Sequence, residues 1–154
     1  MAQAEFEKLI TVVAETLVGQ KIEPNLATKL EKAFPVNGEI FKSLVALCRE
    51  GIEEGWLCDR ELDGIKYGRV IKPTPESFGF SVDVVEMSDI VGPLHSHPNG
   101  EIDMIMPEVK GVEFDGHGEG WVVYGPGSVH SPTVTGGKAI VLYLLPDGVI
   151  KFLR

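Results

Sequence analysis

The chain is poor in cysteine, histidine, tryptophan and basic residues, and it has no long apolar run. Only two cysteines, Cys48 and Cys58, stand in 154 residues, with no Cys-x-x-Cys spacing and no second pair. That excludes a disulfide framework. The N-terminal MAQAEFEKL carries early acids and no cleavable apolar stretch, so the thiols are read as reduced and packed, in a cytoplasmic chain. No segment approaches the roughly 18 apolar residues of a bilayer span. Fourteen Lys and Arg stand against 23 Asp and Glu, a net charge of −9. Such a balance excludes nucleic acid and anionic membrane surfaces as partners, because those are held by Lys and Arg. What is plentiful is glycine (18) and proline (10), concentrated after residue 60 in a chain of 44% hydrophobic composition. Length and composition fit a single globular unit rich in turns.

The apolar period changes near residue 56. Phe6, Leu9, Ile10, Val13 and Leu17 form one helical stripe ended by Gly19. Leu26, Leu30, Ala33 and Phe34 form a second, stopped by Pro35. Phe41, Leu44, Val45, Cys48 and Ile52 form a third, with Asn37 as its expected N-cap and Gly55 at its end. Beyond Trp56 the period is two. Ile65, Tyr67, Arg69 and Ile71 share one strand face after an Asp63-Gly64 hairpin signal. Phe80, Val82 and Val84 share another, and further strands are expected at 101–106, 112–114, 121–124, 139–145 and 149–152. The expected architecture is mostly β: a helical N-terminal extension over 1–55 and a small β-barrel over 56–154, forming one structural unit. Three amphipathic stripes and exposed strand edges favour a homodimer.

Two of the four histidines lie two apart, in Gly92-Pro-Leu-His95-Ser-His97-Pro-Asn-Gly-Glu101. On a strand, positions 95 and 97 face the same way. The Pro-Asn-Gly turn lets Glu101 come back toward them, and His130 follows a second Gly/Pro corner. Three imidazoles and a carboxylate suit a first-row divalent ion, with positions left for water or substrate. The alternative is a hydrogen-bonded or solvated His pair without an ion.

The segment from Gly92 to Glu101 resembles the first cupin motif, and Gly120 to His130 resembles the second. The resemblance puts His95, His97, Glu101 and His130 in the ligand positions of a cupin barrel, a double-stranded β-helix. The second motif departs from the usual pattern: its first proline is displaced, and position 134 is Val where Asn is usual. A closer resemblance rests on Gly55-Trp56-x-Cys58, Gly64 to Pro73, Gly79 to Val85, His97 to Asp103, Phe114 to Gly118, Gly120 to Ser128 and Leu142 to Gly148. These runs are similar to the 4-hydroxylaminobenzoate lyase family. That resemblance implies conversion of 4-hydroxylaminobenzoate to 3,4-dihydroxybenzoate and ammonia in bacterial nitroaromatic catabolism. A divalent ion (Fe, Mn, Zn or Ni) is expected to assist.

Such a substrate asks for a cation at its carboxylate, an apolar slot for its ring and an acid at its N–O bond. Arg69 is either a bidentate clamp on that carboxylate or an ion-pair partner of Asp83 or Glu86. Lys72 lies on the opposite strand face. Asp103 shares parity with Glu101 and is either a general acid or base or an orienting partner of a ligand histidine. Glu101 and Asp103 are the expected catalytic carboxylates. Tyr67 and Tyr124 are expected at the aromatic slot, with Trp121 and Tyr143 as further linings or plain core. His117 sits in a turn-rich loop, either exposed or serving as a lid or acid. The same ligand set also serves an aromatic-cleaving dioxygenase, and a ligand-binding barrel without turnover is a third alternative.

Overall fold

The computed structural model describes residues 2–153. Three helices come first, α1 (Ala2–Thr16), α2 (Leu26–Ala33) and α3 (Glu39–Glu54). Ten strands follow: β1 (Arg60–Leu62), β2 (Ile65–Ile71), β3 (Phe80–Val91), β4 (His95–His97), β5 (Glu101–Pro107), β6 (Glu113–Phe114), β7 (Gly120–Tyr124), β8 (Ser128–His130), β9 (Thr133–Pro146) and β10 (Lys151–Phe152). Among the described residues no helix is long and apolar enough to cross a membrane. The N-cap of the third helix differs from expectation by one position, since Gly38 rather than Asn37 caps α3 and no side chain caps it.

Antiparallel pairing builds two sheets. The larger runs β1-β2-β3-β9-β5-β7, with β6 on β9, and the smaller runs β10-β4-β8. The Asp63-Gly64 turn joins β1 to β2 with both residues at positive φ, as a type I′ hairpin requires. Two strands are longer than their alternation suggests. β3 runs on to Val91 and β9 starts at Thr133, because these outer arms pair with each other across a bulge at Ser88–Ile90. At that corner the Gly136 amide donates to Asp89 Oδ1 at 2.8 Å. The bulge bends the long hairpin and lets the sheet curl.

The large sheet is buried on both faces, and alternation decides which residue goes where. Ile102, Met104, Met106, Trp121, Val123, Leu142 and Leu144 meet the helical stripes of Phe6, Ile10, Leu30, Phe41 and Leu44 in one core. Trp121 fixes this seam: its ring lies against Phe34 and Phe41, and its indole N–H donates to the Phe34 carbonyl at 3.0 Å. The opposite face carries Ile105, Val122, Val141 and Tyr143, which pack with Phe114 and Val134 in a second core. Glu101 and Asp103 have this second parity. They therefore point into the barrel, where the small sheet closes over them.

Candidate metal centre

The small sheet exists to present histidines. Along β4, His95 and His97 are buried on one side, while His95 pairs in register with His130 of β8. The chain leaves β4 by a tight turn in which the Gly100 amide donates to the His97 carbonyl at 3.0 Å. Gly100 has φ 90, and a Cβ there would stand 2.6 Å from Ile22 Cγ2 and 3.0 Å from the Tyr124 carbonyl oxygen. Only glycine fits both demands. The turn delivers Glu101 to the large sheet, four residues after His97 and facing it.

The expected ligand set converges. One donor atom from each of His95, His97, Glu101 and His130 lies within 4.8 Å of all the others. His97 Nε2 stands 3.0 Å from Glu101 Oε1 and 2.9 Å from His130 Nε2, and His130 Nε2 is 3.6 Å from Glu101 Oε2. Donors about 2.1 Å from a shared ion stand roughly 3–4 Å apart, so these separations suit one. His95 Nδ1 donates to the Pro93 carbonyl at 3.0 Å, which leaves the Nε2 lone pair free. That buried Nε2 and Glu101 Oε2 have no hydrogen-bond partner among the described residues. Buried acceptors without donors are costly unless a cation meets them. The donor set therefore fits a divalent ion.

Electrostatics favour a neutral ring at two of the three histidines. Burial lowers His95 and pulls His97 down to about 4, against the opposing charge of Glu101, which favours the neutral imidazoles that an ion would need. Burial also disfavours charge on His130, but the hydrogen bond to Asp115 and the nearby Glu101 carboxylate outweigh it and hold the group up at about 9. Asp103 is fully buried, and its two oxygens have no donor partner among the described residues. Burial, then the neighbouring Glu101, push its carboxyl well above the usual range. Two neighbouring carboxylates disfavour being charged together, which is the direction of this shift.

Of the other expected residues, Tyr124 lies with its ring tilted 4.4 Å from His130 and stacked 6.3 Å from His97, centroid to centroid. Tyr143, directly across from Asp103, is buried in the barrel wall. Arg69 resolves toward the ion pair. Its guanidinium donates to both oxygens of Asp83, at 2.9 and 3.2 Å, and to the Gly148 carbonyl at 3.1 Å, leaving no free fork for a substrate carboxylate. Tyr67 lies half-buried on β2, paired with Arg60 and Val85 and separated by two strands from β5, so it is not brought to the histidines. His117 is exposed in the turn after β6. The residue missed in the sequence is Asp115, whose Oδ2 accepts from His130 Nδ1 at 2.7 Å and from the Tyr124 hydroxyl at 2.6 Å. Two surface hollows, of about 310 and 370 Å³, lie along helix–sheet seams and touch none of these residues.

Two antiparallel sheets closing on a His₃Glu cluster, each member carried by a cupin-motif segment, define a cupin-like barrel. A sequence-family profile described as PnbB, 4-hydroxylaminobenzoate lyase, matches residues 7–152. The chain is 34% identical over 132 residues to a 4-hydroxylaminobenzoate lyase of Nocardioides sp. (strain LMS-CY), covering 80% of this chain and 78% of that one. It is 31% identical over 145 residues to a 4-hydroxylaminobenzoate lyase of Pseudomonas putida, covering 83% and 82%. Among solved structures, an RmlC-like cupin protein from Ralstonia eutropha JMP134 aligns over 60% of this chain and 61% of that one, with 17% identity and a TM-score of 0.45. The chain belongs to the 4-hydroxylaminobenzoate lyase family. It is an enzyme, a lyase.

Proposed function

We propose that the enzyme converts 4-hydroxylaminobenzoate, or a closely related aromatic hydroxylamine, to 3,4-dihydroxybenzoate and ammonia. The observation that carries this reading is a buried His₃Glu cluster with a fully buried carboxyl, Asp103, two positions from Glu101, in a chain of this family. The reaction takes one water per turnover and needs no external oxidant. The nitrogen is reduced as the N–O bond breaks, and a ring carbon is oxidised as a C–O bond forms.

A divalent ion held by His95, His97, Glu101 and His130 would supply Lewis acidity toward an oxygen of water or substrate. The remaining work falls to the side chains. Asp103 gives its proton to the hydroxylamino oxygen, which leaves as water with the N–O bonding pair. The positive charge left on nitrogen spreads into the ring, and a water oxygen bonds to the carbon beside C–N, losing a proton. A second water adds to the C=N carbon, ammonia leaves, and loss of the ring hydrogen as a proton restores aromaticity. The Asp103 carboxylate recovers a proton in these later steps. Two waters enter and one leaves, so the balance closes. Tyr124 supports the reading as an aromatic wall beside His130.

The test is an anaerobic assay. Protein incubated with 4-hydroxylaminobenzoate under nitrogen should release ammonia and 3,4-dihydroxybenzoate in equal amounts. A requirement for oxygen would replace this reading with dioxygenase chemistry.

A further inference from the structure

Asp115 sits in the turn after β6, and three donors converge on its carboxylate. The Thr133 amide donates to Oδ1 at 2.8 Å, while the Tyr124 hydroxyl and His130 Nδ1 meet Oδ2 at 2.6 and 2.7 Å. We propose that Asp115 is the positioning residue of the centre: with an ion in place it holds the remaining His130 proton on Nδ1 and so keeps Nε2 as the donor atom at the ligand position shared with His97 and Glu101. The inference rests on reading the His₃Glu cluster as a metal centre.

The donors around Asp115 show why a carboxylate is needed and why its amide would fail. A backbone N–H cannot become an acceptor, so in Asp115→Asn the amide oxygen must stay on Thr133 and the NH₂ must face Oδ2's former partners. Tyr124 can rotate its hydroxyl and accept. An imidazole can accept at Nδ1 only by moving its proton to Nε2, and that removes the lone pair from the ligand position. The substitution is otherwise mild. Position 115 has φ 50, which Asn adopts readily, and the Thr133 bond is kept. Outer carboxylates on ligand histidines act in this way in metal sites generally, and losing one costs about 10–100-fold in metal affinity.

The experiment measures zinc affinity by competition with a chromophoric chelator, for the wild type, Asp115→Asn and Tyr124→Phe. Asp115→Asn should bind zinc about 10–100-fold more weakly while keeping a cooperative melt. Tyr124→Phe leaves the His130 bond in place and should bind near the wild-type value. Long-range ¹H–¹⁵N spectra of the zinc-loaded wild type should show His130 protonated at Nδ1 and ligated through Nε2. Equal zinc affinity in wild type and Asp115→Asn, or ligation through Nδ1, overturns the positioning role alone. A wild type that takes up no zinc, cobalt or manganese removes the metal reading and this inference with it. If Asp115→Asn does not fold, the wild-type spectrum still decides.

Discussion

Arg69 spans to Asp83 on the next strand with both arms of its fork, and the same guanidinium holds the Gly148 carbonyl. Asp83 in turn lies directly across from Tyr143, and Tyr143 across from Asp103. The pair thus stands at the outer end of a polar row that leads to the buried acid. An occupied fork predicts a structural role. Arg69→Lys keeps the charge but loses the paired geometry, and because both side chains are partly exposed the cost should be modest, about 1 kcal/mol. For a chain of this length that lowers Tm by roughly 2–4 °C. KM for 4-hydroxylaminobenzoate should not move. A raised KM with unchanged Tm would restore the substrate clamp.

The metal reading predicts a stability signature that needs no substrate. Chelator-treated protein should lose activity and regain it with a single first-row divalent ion. An ion that binds the folded chain alone contributes about 2.7 kcal/mol at a hundred times its Kd. That should raise Tm by roughly 5–10 °C. Glu101→Gln removes the charged ligand and should cut this rise by at least half, since a loss of affinity of about tenfold or more leaves about 1.4 kcal/mol or less at the same ion concentration. A melt indifferent to every divalent ion would remove the centre.

Much of this site is legible in the chain order, and the reason is local. His95, His97 and Glu101 lie within seven positions, so strand parity and one turn bring them to the same side. Asp103 follows by the same parity. Asp115 is hidden for the opposite reason. Its partners are His130 and Tyr124, and they meet only because β6 pairs with the outer arm of β9, Phe114 against Val134. That arm is itself obscured, since Gly136-Gly137 reads as a turn while the strand continues through it. Arg69 shows the limit of parity: the face is readable, but whether Asp83 fills the fork depends on strand order.

The two thiols should be inert in the folded enzyme. Cys58 donates to the Val84 carbonyl at 3.3 Å, and burial, reinforced by Glu86, pushes its pKa from 9.0 to about 12. Cys48 is fully buried and is raised further. The reactive species is the thiolate, and three pKa units reduce its population about a thousandfold below pH 9. Iodoacetamide at pH 8 should therefore leave both unmodified for hours by mass spectrometry and alkylate both in denaturant. Rapid native labelling at Cys58 would show that the barrel edge near β2 opens.

Gly51 separates helix propensity from packing. It lies inside α3, where alanine is ordinarily better than glycine by about 1 kcal/mol. Here the chain folds back over the helix end, and the Gly55, Trp56 and Leu57 amides all donate to the Gly51 carbonyl. A Cβ at position 51 would stand 2.6 and 2.7 Å from Leu57 Cδ1 and Cγ and 2.9 Å from Trp56 Cζ2. Leu57 is only 2% exposed, and Trp56 is edged against Phe6, so neither can step aside freely. Overpacking of this kind costs about 1–3 kcal/mol, more than the propensity gain. Gly51→Ala should therefore lose up to about 2 kcal/mol and lower Tm by up to roughly 8 °C. Leu57→Ala alone should also destabilise, by removing a buried side chain. The double variant should lose less than the sum, because the second change relieves the clash made by the first. Thermal melts of the four proteins measure that coupling directly. A stabilised Gly51→Ala, or strict additivity in the pair, would show that the helix end yields without strain.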